Sequence, residues 1–187
     1  MSEAKPGLLA RFWPFLVFLA LASLLAVGVK MSGRENREAI PSPLIGRPAP
    51  SFELYSLHEP ERLVAVEELR GAPFLLNVWG SWCPACRDEH PYIEQIARTG
   101  KLRVVGLNWN DERADALRWL QQFGDPYALI VVDEGSQTAI DWGVVAAPET
   151  FLVDAEGIVR WKHTGPLFPR HIENDLKPIL RTLGVEL

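Results

Sequence analysis

The chain contains two cysteines, and both lie in the segment Trp82-Cys83-Pro84-Ala85-Cys86. This segment directly follows an apolar run at residues 74–79, with the sequence FLLNVW. A buried strand that leads into a Cys-x-x-Cys helix is typical of a redox dithiol beside a βαβ unit. At a helix start, the first sulfur lies near unpaired N–H groups and the positive end of the helix dipole, which stabilises the thiolate. We therefore expect Cys83 to be the nucleophile and Cys86 the resolving cysteine of a redox-active disulfide.

Two other uses of closely spaced cysteines fit less well. A disulfide that closes so short a loop removes little chain entropy from the unfolded state, so it would be a weak structural staple. Structural zinc usually takes four Cys or His ligands, and the nearest additional candidate here is His90, with no second cysteine pair in the chain. Redox chemistry is favoured, while metal delivery or metal sensing stays open as an alternative. We expect no metal and no cofactor other than the Cys83-Cys86 disulfide.

A charge-free apolar segment occupies residues 12–29, between Arg11 and Lys30. Its length just suffices for a membrane-spanning helix. Ala20-Leu21-Ala22 could also be the cleavage site of a secretory signal, but cleavage there would leave an apolar stub, which favours an uncleaved anchor. Basic residues on both sides leave the orientation undecided. A very short leader, a large following domain and a Cys-x-x-Cys suited to an oxidising compartment favour export of the C-terminal part.

These observations predict four regions. Residues 1–11 form a short cytoplasmic leader, residues 12–29 a transmembrane anchor, residues 30–43 a polar tether, and residues 44–187 one domain large enough to bury a core. The chain has 19 basic and 24 acidic residues, for a formal net charge of −5. Because this acidic chain also has no basic cluster, nucleic acid is excluded as a partner.

Hydrophobic periodicity predicts an α/β domain with a central mixed sheet and helices on both faces. Two short strands around a polar turn at residues 58–61 predict an extra N-terminal hairpin. A strand–helix–strand–helix run follows, so its two strands should be parallel. Its second helix should bury Ala116, Leu117, Leu120 and Phe123. A further strand at residues 128–132 and a short helix at 136–142 precede a hairpin that turns at Gly157 and a C-terminal helix at residues 169–183.

Several segments together resemble the thioredoxin superfamily over residues 44–187 and, within it, the CcmG/DsbE family of membrane-anchored thiol:disulfide interchange proteins of bacterial cytochrome c maturation. The resemblance is carried by LNVW before the motif, WCPACRDEHP at residues 82–91, GLNWND at residues 106–111 and GVVAAPETFLV at residues 143–153. The APETFL stretch beside WCPxCRxEHP is far more specific than Cys-x-x-Cys alone.

The resemblance implies roles for particular residues. Pro148 matches the proline that these proteins hold in cis, where the backbone of Ala147 can pair with an incoming peptide. Trp82 would then contribute to the substrate groove. Glu89 and Glu149 match the active-site acids of the family and are expected to tune the redox properties of the dithiol. Asn77 stands where ordinary thioredoxins have a buried aspartate, and since Asn cannot take a proton, another group must serve Cys86.

The chain also departs from the family pattern. Gly80 stands where these proteins commonly have alanine, Val145-Ala146 replaces a more usual Tyr-Gly, and Asn108-Trp109-Asn110-Asp111 replaces Asn-Tyr-Lys-Asp. These departures concern the partner-facing groove more than the chemistry.

By resemblance, the protein is expected to be an enzyme of the bacterial inner membrane, single-pass, with its domain facing the periplasm. It would reduce the disulfide in the haem-attachment CxxCH of apocytochrome c, alone or within a haem-ligation complex. A membrane dithiol donor of the DsbD or CcdA type would supply the electrons. Four alternatives stay open: a general periplasmic disulfide reductase, a thiol peroxidase, a non-catalytic docking subunit, and a copper chaperone whose third ligand would be His163 or His171.

Overall fold

The computed structural model describes residues 8–32 and 42–187, with side chains from residue 12 to residue 28 in the first range. The chain divides into two units between Ile40 and Pro41. The first unit contains helix α1, Leu8–Ser32, with Pro14 inside it. Among the described residues, the structure shows no helix with the length and apolar character needed to cross a membrane. Most of the predicted leader and tether, residues 1–7 and 33–41, lies outside the described residues.

The second unit is built on a five-stranded mixed sheet and a two-stranded hairpin. The hairpin consists of β1, Glu53–Tyr55, and β2, Leu63–Ala65, which are antiparallel, in agreement with the sequence. The strands of the sheet are β3, Phe74–Trp79; β4, Arg103–Trp109; β5, Leu129–Asp133; β6, Glu149–Val153; and β7, Val159–Thr164. Their spatial order is β5-β4-β3-β6-β7, with β3, β4 and β5 parallel and β6 antiparallel to both of its neighbours. The predicted parallel pair and the predicted hairpin with positive φ at Gly157 are both confirmed.

Four helical regions complete the domain. They are α2, Pro84–Arg98; α3, Arg113–Phe123; α4, Gln137–Asp141; and a C-terminal run of α5, Pro169–His171, a π-helical segment, Ile172–Leu176, and α6, Lys177–Thr182. A 3₁₀ turn, Val66–Leu69, follows the N-terminal hairpin. Proline at the first position of α2 and of α5 is favourable because its missing N–H would have no partner in the helix anyway.

The sheet buries a different apolar cluster on each face. On one face, Leu75 and Leu152 pack with Ile93 of α2 and with Leu176 and Leu180 of the C-terminal run. On the other face, the side chains that point away from α2 pack with the hairpin, the 3₁₀ turn and Trp142, which follows α4. Because side chains alternate along a strand, neighbouring residues of β3 and β6 face different surroundings.

A third cluster lies at the carboxyl end of β3. It contains Trp79, both cysteines, and Ala116, Trp119 and Leu120 of α3. The predicted buried face of α3 was wrong in one position, since Leu117 is 38% exposed whereas Trp119 is buried. Trp119 reaches the core because its large ring packs on Trp79, with ring centroids 5.0 Å apart.

Candidate active site

The two cysteines form a disulfide at the start of α2. The Cys83 N–H donates to the carbonyl oxygen of Gly80 at 3.1 Å, which forms a tight turn between β3 and the helix. Cys83 is the N-cap residue, and its Sγ accepts from the Cys86 N–H at 3.1 Å. After reduction, this N–H and the helix dipole favour a thiolate on Cys83 over one on Cys86. The geometry therefore suits the nucleophilic and resolving roles expected from the sequence.

Hydrogen bonds join the turn that contains the dithiol to the segment directly after β4. Asp111 accepts two hydrogen bonds of 2.6 Å from Ser81, one from its N–H and one from its hydroxyl. Asn108 donates to the same carboxylate at 2.9 Å. The contact between Ser81 and Asp111 could not be predicted from local motifs, because the two residues are separated by 30 positions and only the β3–β4 register brings them together.

Trp82 lies on the surface beside this turn. Its side chain is 48% exposed, whereas Cys83 is 3% exposed. The indole packs edge-on against Trp109, with centroids 5.7 Å apart, and its Nε1–H donates to the Trp109 carbonyl at 3.2 Å. A partner that approaches Cys83 therefore meets an indole held by the end of β4.

Glu89 is a buried carboxyl group of α2 that lies one helical turn after Cys86. Asn77 Nδ2 and the Leu167 N–H each donate to one of its oxygens at 2.7 Å. Burial raises its pKa to about 8, although both hydrogen bonds act in the opposite direction. Glu89 is therefore largely protonated at neutral pH, and its pKa is close to that of an ordinary thiol.

Asn77 is the centre of the hydrogen-bond network around Glu89. Besides its bond to Glu89, its amide donates to Thr150 Oγ1 at 3.1 Å, and its carbonyl oxygen accepts from the Tyr127 hydroxyl at 2.8 Å. Burial and the nearby charges of Glu89 and Asp125 raise the pKa of Tyr127 well above its usual value, so its hydroxyl stays a donor. The position of the usual buried acid is thus occupied by an amide that holds an acid from α2.

Pro148 follows a cis peptide bond from Ala147, and Ala147 packs against the cluster that contains both cysteines. Glu149 comes next and begins β6. It is fully buried, with Oε2 2.8 Å from Lys162 Nζ, while Oε1 accepts from the Val145 N–H at 3.2 Å. Glu149 therefore joins β7 to the loop that precedes Pro148.

The two candidate acids lie on different faces of the sheet. Asn77 is paired with Thr150 and Val78 with Glu149 in the β3–β6 register. Asn77 and Thr150 face α2 and Glu89, so the alternation of side chains turns Glu149 toward the opposite face. The structure brings Asn77 and Glu89 together on the α2 face of the sheet, but it places Glu149 on the opposite face.

The histidines considered as metal ligands contact a backbone carbonyl or other rings. His90 Nε2 is 3.1 Å from the Gly124 carbonyl oxygen, and its ring packs edge-on against Trp119. Burial lowers the pKa of His90. His163 and His171 pack on each other, with ring centroids 4.2 Å apart. Within residues 8–32 and 42–187, no three His, Cys, Asp or Glu side chains are grouped so that they could hold a metal ion.

Comparison with known sequences decides the family. The family described as Redoxin matches residues 44–178. Thiol:disulfide interchange protein DsbE from Allochromatium vinosum is 46% identical over 179 residues, which cover 96% of this chain and 94% of the relative. The DsbE protein of Escherichia coli K12 is 43% identical over 168 residues, or 89% and 90% of the two chains. The chain belongs to the DsbE family. It is a thiol:disulfide oxidoreductase with a thioredoxin-like fold.

Solved structures agree with this assignment. A DsbE chain from Chlorobium tepidum superposes with a TM-score of 0.66 at 27% identity, over 74% of this chain and 96% of that chain. A secreted thiol-disulfide isomerase from Corynebacterium glutamicum shares the fold, with a TM-score of 0.62 at 22% identity over 71% and 85% of the two chains.

Proposed function

We propose that this DsbE-family protein acts as a reductant in an oxidising extracytoplasmic compartment and reduces the disulfide in the haem-attachment CxxCH of apocytochrome c. The observation that carries the proposal is the buried carboxyl of Glu89, held by Asn77 one helical turn after Cys86. It gives the resolving cysteine a nearby proton acceptor whose pKa of about 8 is matched to a thiol.

The reaction begins with reduced protein. The Cys83 thiolate attacks one sulfur of the substrate disulfide, and the other substrate sulfur leaves as a thiolate that takes up a proton. The Cys86 thiol then gives its proton to the fraction of Glu89 that is ionised, since a pKa of about 8 leaves part of this group without a proton near neutral pH, and the Cys86 thiolate attacks Cys83. The mixed disulfide breaks, the second substrate sulfur leaves as a thiolate, and the proton that Glu89 took from Cys86 neutralises it. The substrate gains two electrons, and the protein ends with the Cys83-Cys86 disulfide.

Return to the dithiol state requires a donor of two electrons. We assign this role to a membrane dithiol protein of the DsbD or CcdA type. We further propose that the charge-free segment at residues 12–29 is a single-pass anchor in a bacterial inner membrane. The domain would then face the periplasm, on the same side as exported apocytochrome c.

Substrate choice rests on the motifs that the chain shares with the CcmG/DsbE family. WCPACRDEHP contains the dithiol and Glu89, and APETFL contains Ala147, Pro148 and Glu149. The first segment supplies the reacting groups, whereas the second packs against the cysteine cluster through Ala147. A partner-selective reductant needs both a nucleophile and a defined surface beside it, and the two motifs supply them.

Trapping of the mixed disulfide tests the proposal. The Cys86→Ala variant of the full chain, expressed in a bacterium that makes c-type cytochromes, should retain its substrate on Cys83, because the resolving thiol is missing. Mass spectrometry should identify peptides with the CxxCH sequence. The Cys83→Ala variant is the matched control and should trap none of them. A broad mixture of exported proteins without a haem-attachment peptide would reject the cytochrome-specific role in favour of a general disulfide reductase.

A further inference from the structure

Gly80 lies at the end of β3, in the turn that carries the dithiol, and its side-chain position is filled by another residue. A Cβ atom built on Gly80 would lie 2.5 Å from Trp82 Nε1 and 2.7 Å from Trp82 Cε2. Such contacts are far below the ordinary separation of non-bonded carbon and nitrogen atoms. The φ of Gly80 is outside the left-handed region, so the backbone does not need glycine here. Glycine is needed at this position because the indole of Trp82 occupies the space that a side chain would fill.

The indole occupies this space because it is held from the other side by β4. Its Nε1–H donates to the Trp109 carbonyl at 3.2 Å, and its ring packs edge-on against the Trp109 ring. Trp109 is fixed in turn, since its own Nε1–H donates to Ser136 Oγ at 2.9 Å. Trp82 therefore lies across Gly80 and along the end of β4.

The backbone on both sides of this contact is fixed. Ser81 is bound to Asp111 by two hydrogen bonds of 2.6 Å, and the Cys83 N–H is bound to the Gly80 carbonyl at 3.1 Å. A methyl group at position 80 could not be accommodated by a shift of the turn without loss of these bonds. The half-exposed indole is the part that can move, and it would leave Trp109.

We infer that Gly80 is a positioning residue for substrate selection: the missing side chain lets Trp82 lie on Trp109 and fixes the surface that a protein partner meets beside Cys83. The inference rests on the proposed reductase function and adds a determinant of partner choice to it. Gly80 touches neither sulfur through a side chain, so it acts through Trp82. A small disulfide contacts little of the protein surface, so its rate of reduction should not depend on the indole. The rate of reduction of a peptide or protein disulfide should depend on it.

Reduced full-length protein provides the test, with two oxidised substrates: a synthetic peptide that carries the disulfide of a CxxCH sequence, and bis(2-hydroxyethyl) disulfide. Gly80→Ala should lower the second-order rate constant for the peptide by about fivefold, the size expected for one aromatic contact. The rate constant for the small disulfide should change less than about twofold, because the sulfur chemistry is unaltered. Trp82→Ala should reproduce the loss, and Gly80→Ala should add nothing in that background.

Gly135→Ala is the matched control, because a Cβ on Gly135 would have no heavy atom within 4 Å and its φ also lies outside the left-handed region. It should leave both rate constants unchanged. The indole Nε1–H resonance of Trp82, identified by its loss in Trp82→Phe, should shift in Gly80→Ala and stay in place in Gly135→Ala.

Three results would overturn the inference. They are an unshifted Trp82 resonance in Gly80→Ala, an unchanged rate constant for the peptide, and an equal loss for both substrates that persists in the Trp82→Ala background. Failure of the proposed function has a different signature: the unmodified protein would reduce the small disulfide but not the haem-attachment peptide. In that case, the disulfides of insulin replace the peptide, and the same comparison still decides the role of Gly80.

Discussion

Glu89 combines two environments that act on its pKa in opposite directions. Its oxygens accept hydrogen bonds from Asn77 and from the Leu167 N–H, an arrangement that suits a carboxylate. Burial outweighs these bonds and raises its pKa from 4.5 to about 8. A carboxyl group poised in this way can take a proton from Cys86 and return it at neutral pH.

The raised pKa of Glu89 predicts a pH-dependent stability. Between pH 4.5 and about 8, the folded protein keeps a proton on Glu89 that the unfolded chain has lost. The contribution of this group to the free energy of unfolding is thus complete below pH 4.5 and is lost as the pH rises through the window, by about 1.4 kcal/mol per pH unit. Glu89→Gln should remove this slope. Urea unfolding of the oxidised protein at several pH values measures it.

Glu94 offers the matched control for this prediction. It lies on the same helix, at the surface, where it is paired with Arg98 at 2.7 Å. Glu94→Gln should keep the pH dependence of the unmodified protein. A slope that survives in Glu89→Gln would show that another group binds the proton.

Local motifs indicated the candidate site residues but not the contacts that hold them in place. Both cysteines, Glu89 and the substitution of Asn77 for the usual acid could be identified from local motifs. The contacts of Asn77 with Tyr127 and Thr150 could not, because they join positions 50 and 73 residues apart. Such pairs depend on the order of the strands, which motifs do not encode.

At the scale of elements, β7 holds the loop that leads to Pro148. Lys162 Nζ lies 2.8 Å from Glu149 Oε2 and donates to the Gly143 carbonyl at 2.7 Å. The Val145 N–H and the Thr164 hydroxyl donate to the other oxygen of Glu149, at 3.2 and 3.3 Å. The charge of Glu149 is balanced within this cluster. Its position therefore supports a positioning role for the loop beside the dithiol.

Loss of the ion pair between Lys162 and Glu149 should lower the free energy of unfolding. Lys162→Met would leave the fully buried carboxylate of Glu149 without its cation, and we expect the free energy of unfolding to fall by about 3–5 kcal/mol. The double variant Lys162→Met/Glu149→Gln should recover part of the loss, since the buried charge is then absent. Urea unfolding at pH 7 measures both variants.

Lys177→Met is the control for loss of a lysine from an ion pair. Lys177 is paired with Glu173 at 2.6 Å, but the carboxylate of that pair is 59% exposed. Water screens this pair, so the expected loss is below about 1 kcal/mol. Equal losses in the two lysine variants would contradict the role assigned to the buried pair.

Where hydrophobic periodicity is strong, the boundaries of helices and strands in the structure agree closely with those predicted from the sequence. The helix predicted to begin at the Cys-x-x-Cys segment is α2, and the apolar run at residues 74–79 is β3. The C-terminal helix differs, because residues 172–176 adopt a π-helical segment that the apolar pattern does not show. Leu117 of α3 was misplaced because periodicity gives the apolar side but not which large ring fills the space beside Trp79.

At the scale of the whole molecule, the chain divides into two units, Met1–Ile40 and Pro41–Leu187. The three apolar clusters draw all their buried members from residue 52 onward. The dithiol, Glu89 and Pro148 lie in the same unit. The second unit therefore contains a complete core and the complete candidate site.

A fragment of residues 41–187 should fold by itself because it contains the buried members of all three apolar clusters. We expect a single cooperative urea transition, an unchanged near-ultraviolet circular dichroism spectrum of the domain, and the same rate constant for a small disulfide as the full chain. A fragment that binds hydrophobic dyes and lacks a cooperative transition would contradict this expectation. The full chain in detergent is the reference for each measurement.

Asn77 links β3, α2, β6 and the chain before β5 through a few hydrogen bonds. In contrast, the side chains of Trp82 and Val145 are exposed to solvent. In the proposed mechanism, proton transfer thus involves buried residues, whereas partner contact involves exposed ones. An engineer could alter the exposed residues, for instance Val145, to redirect the protein toward a new disulfide while the buried residues continue to set the proton chemistry.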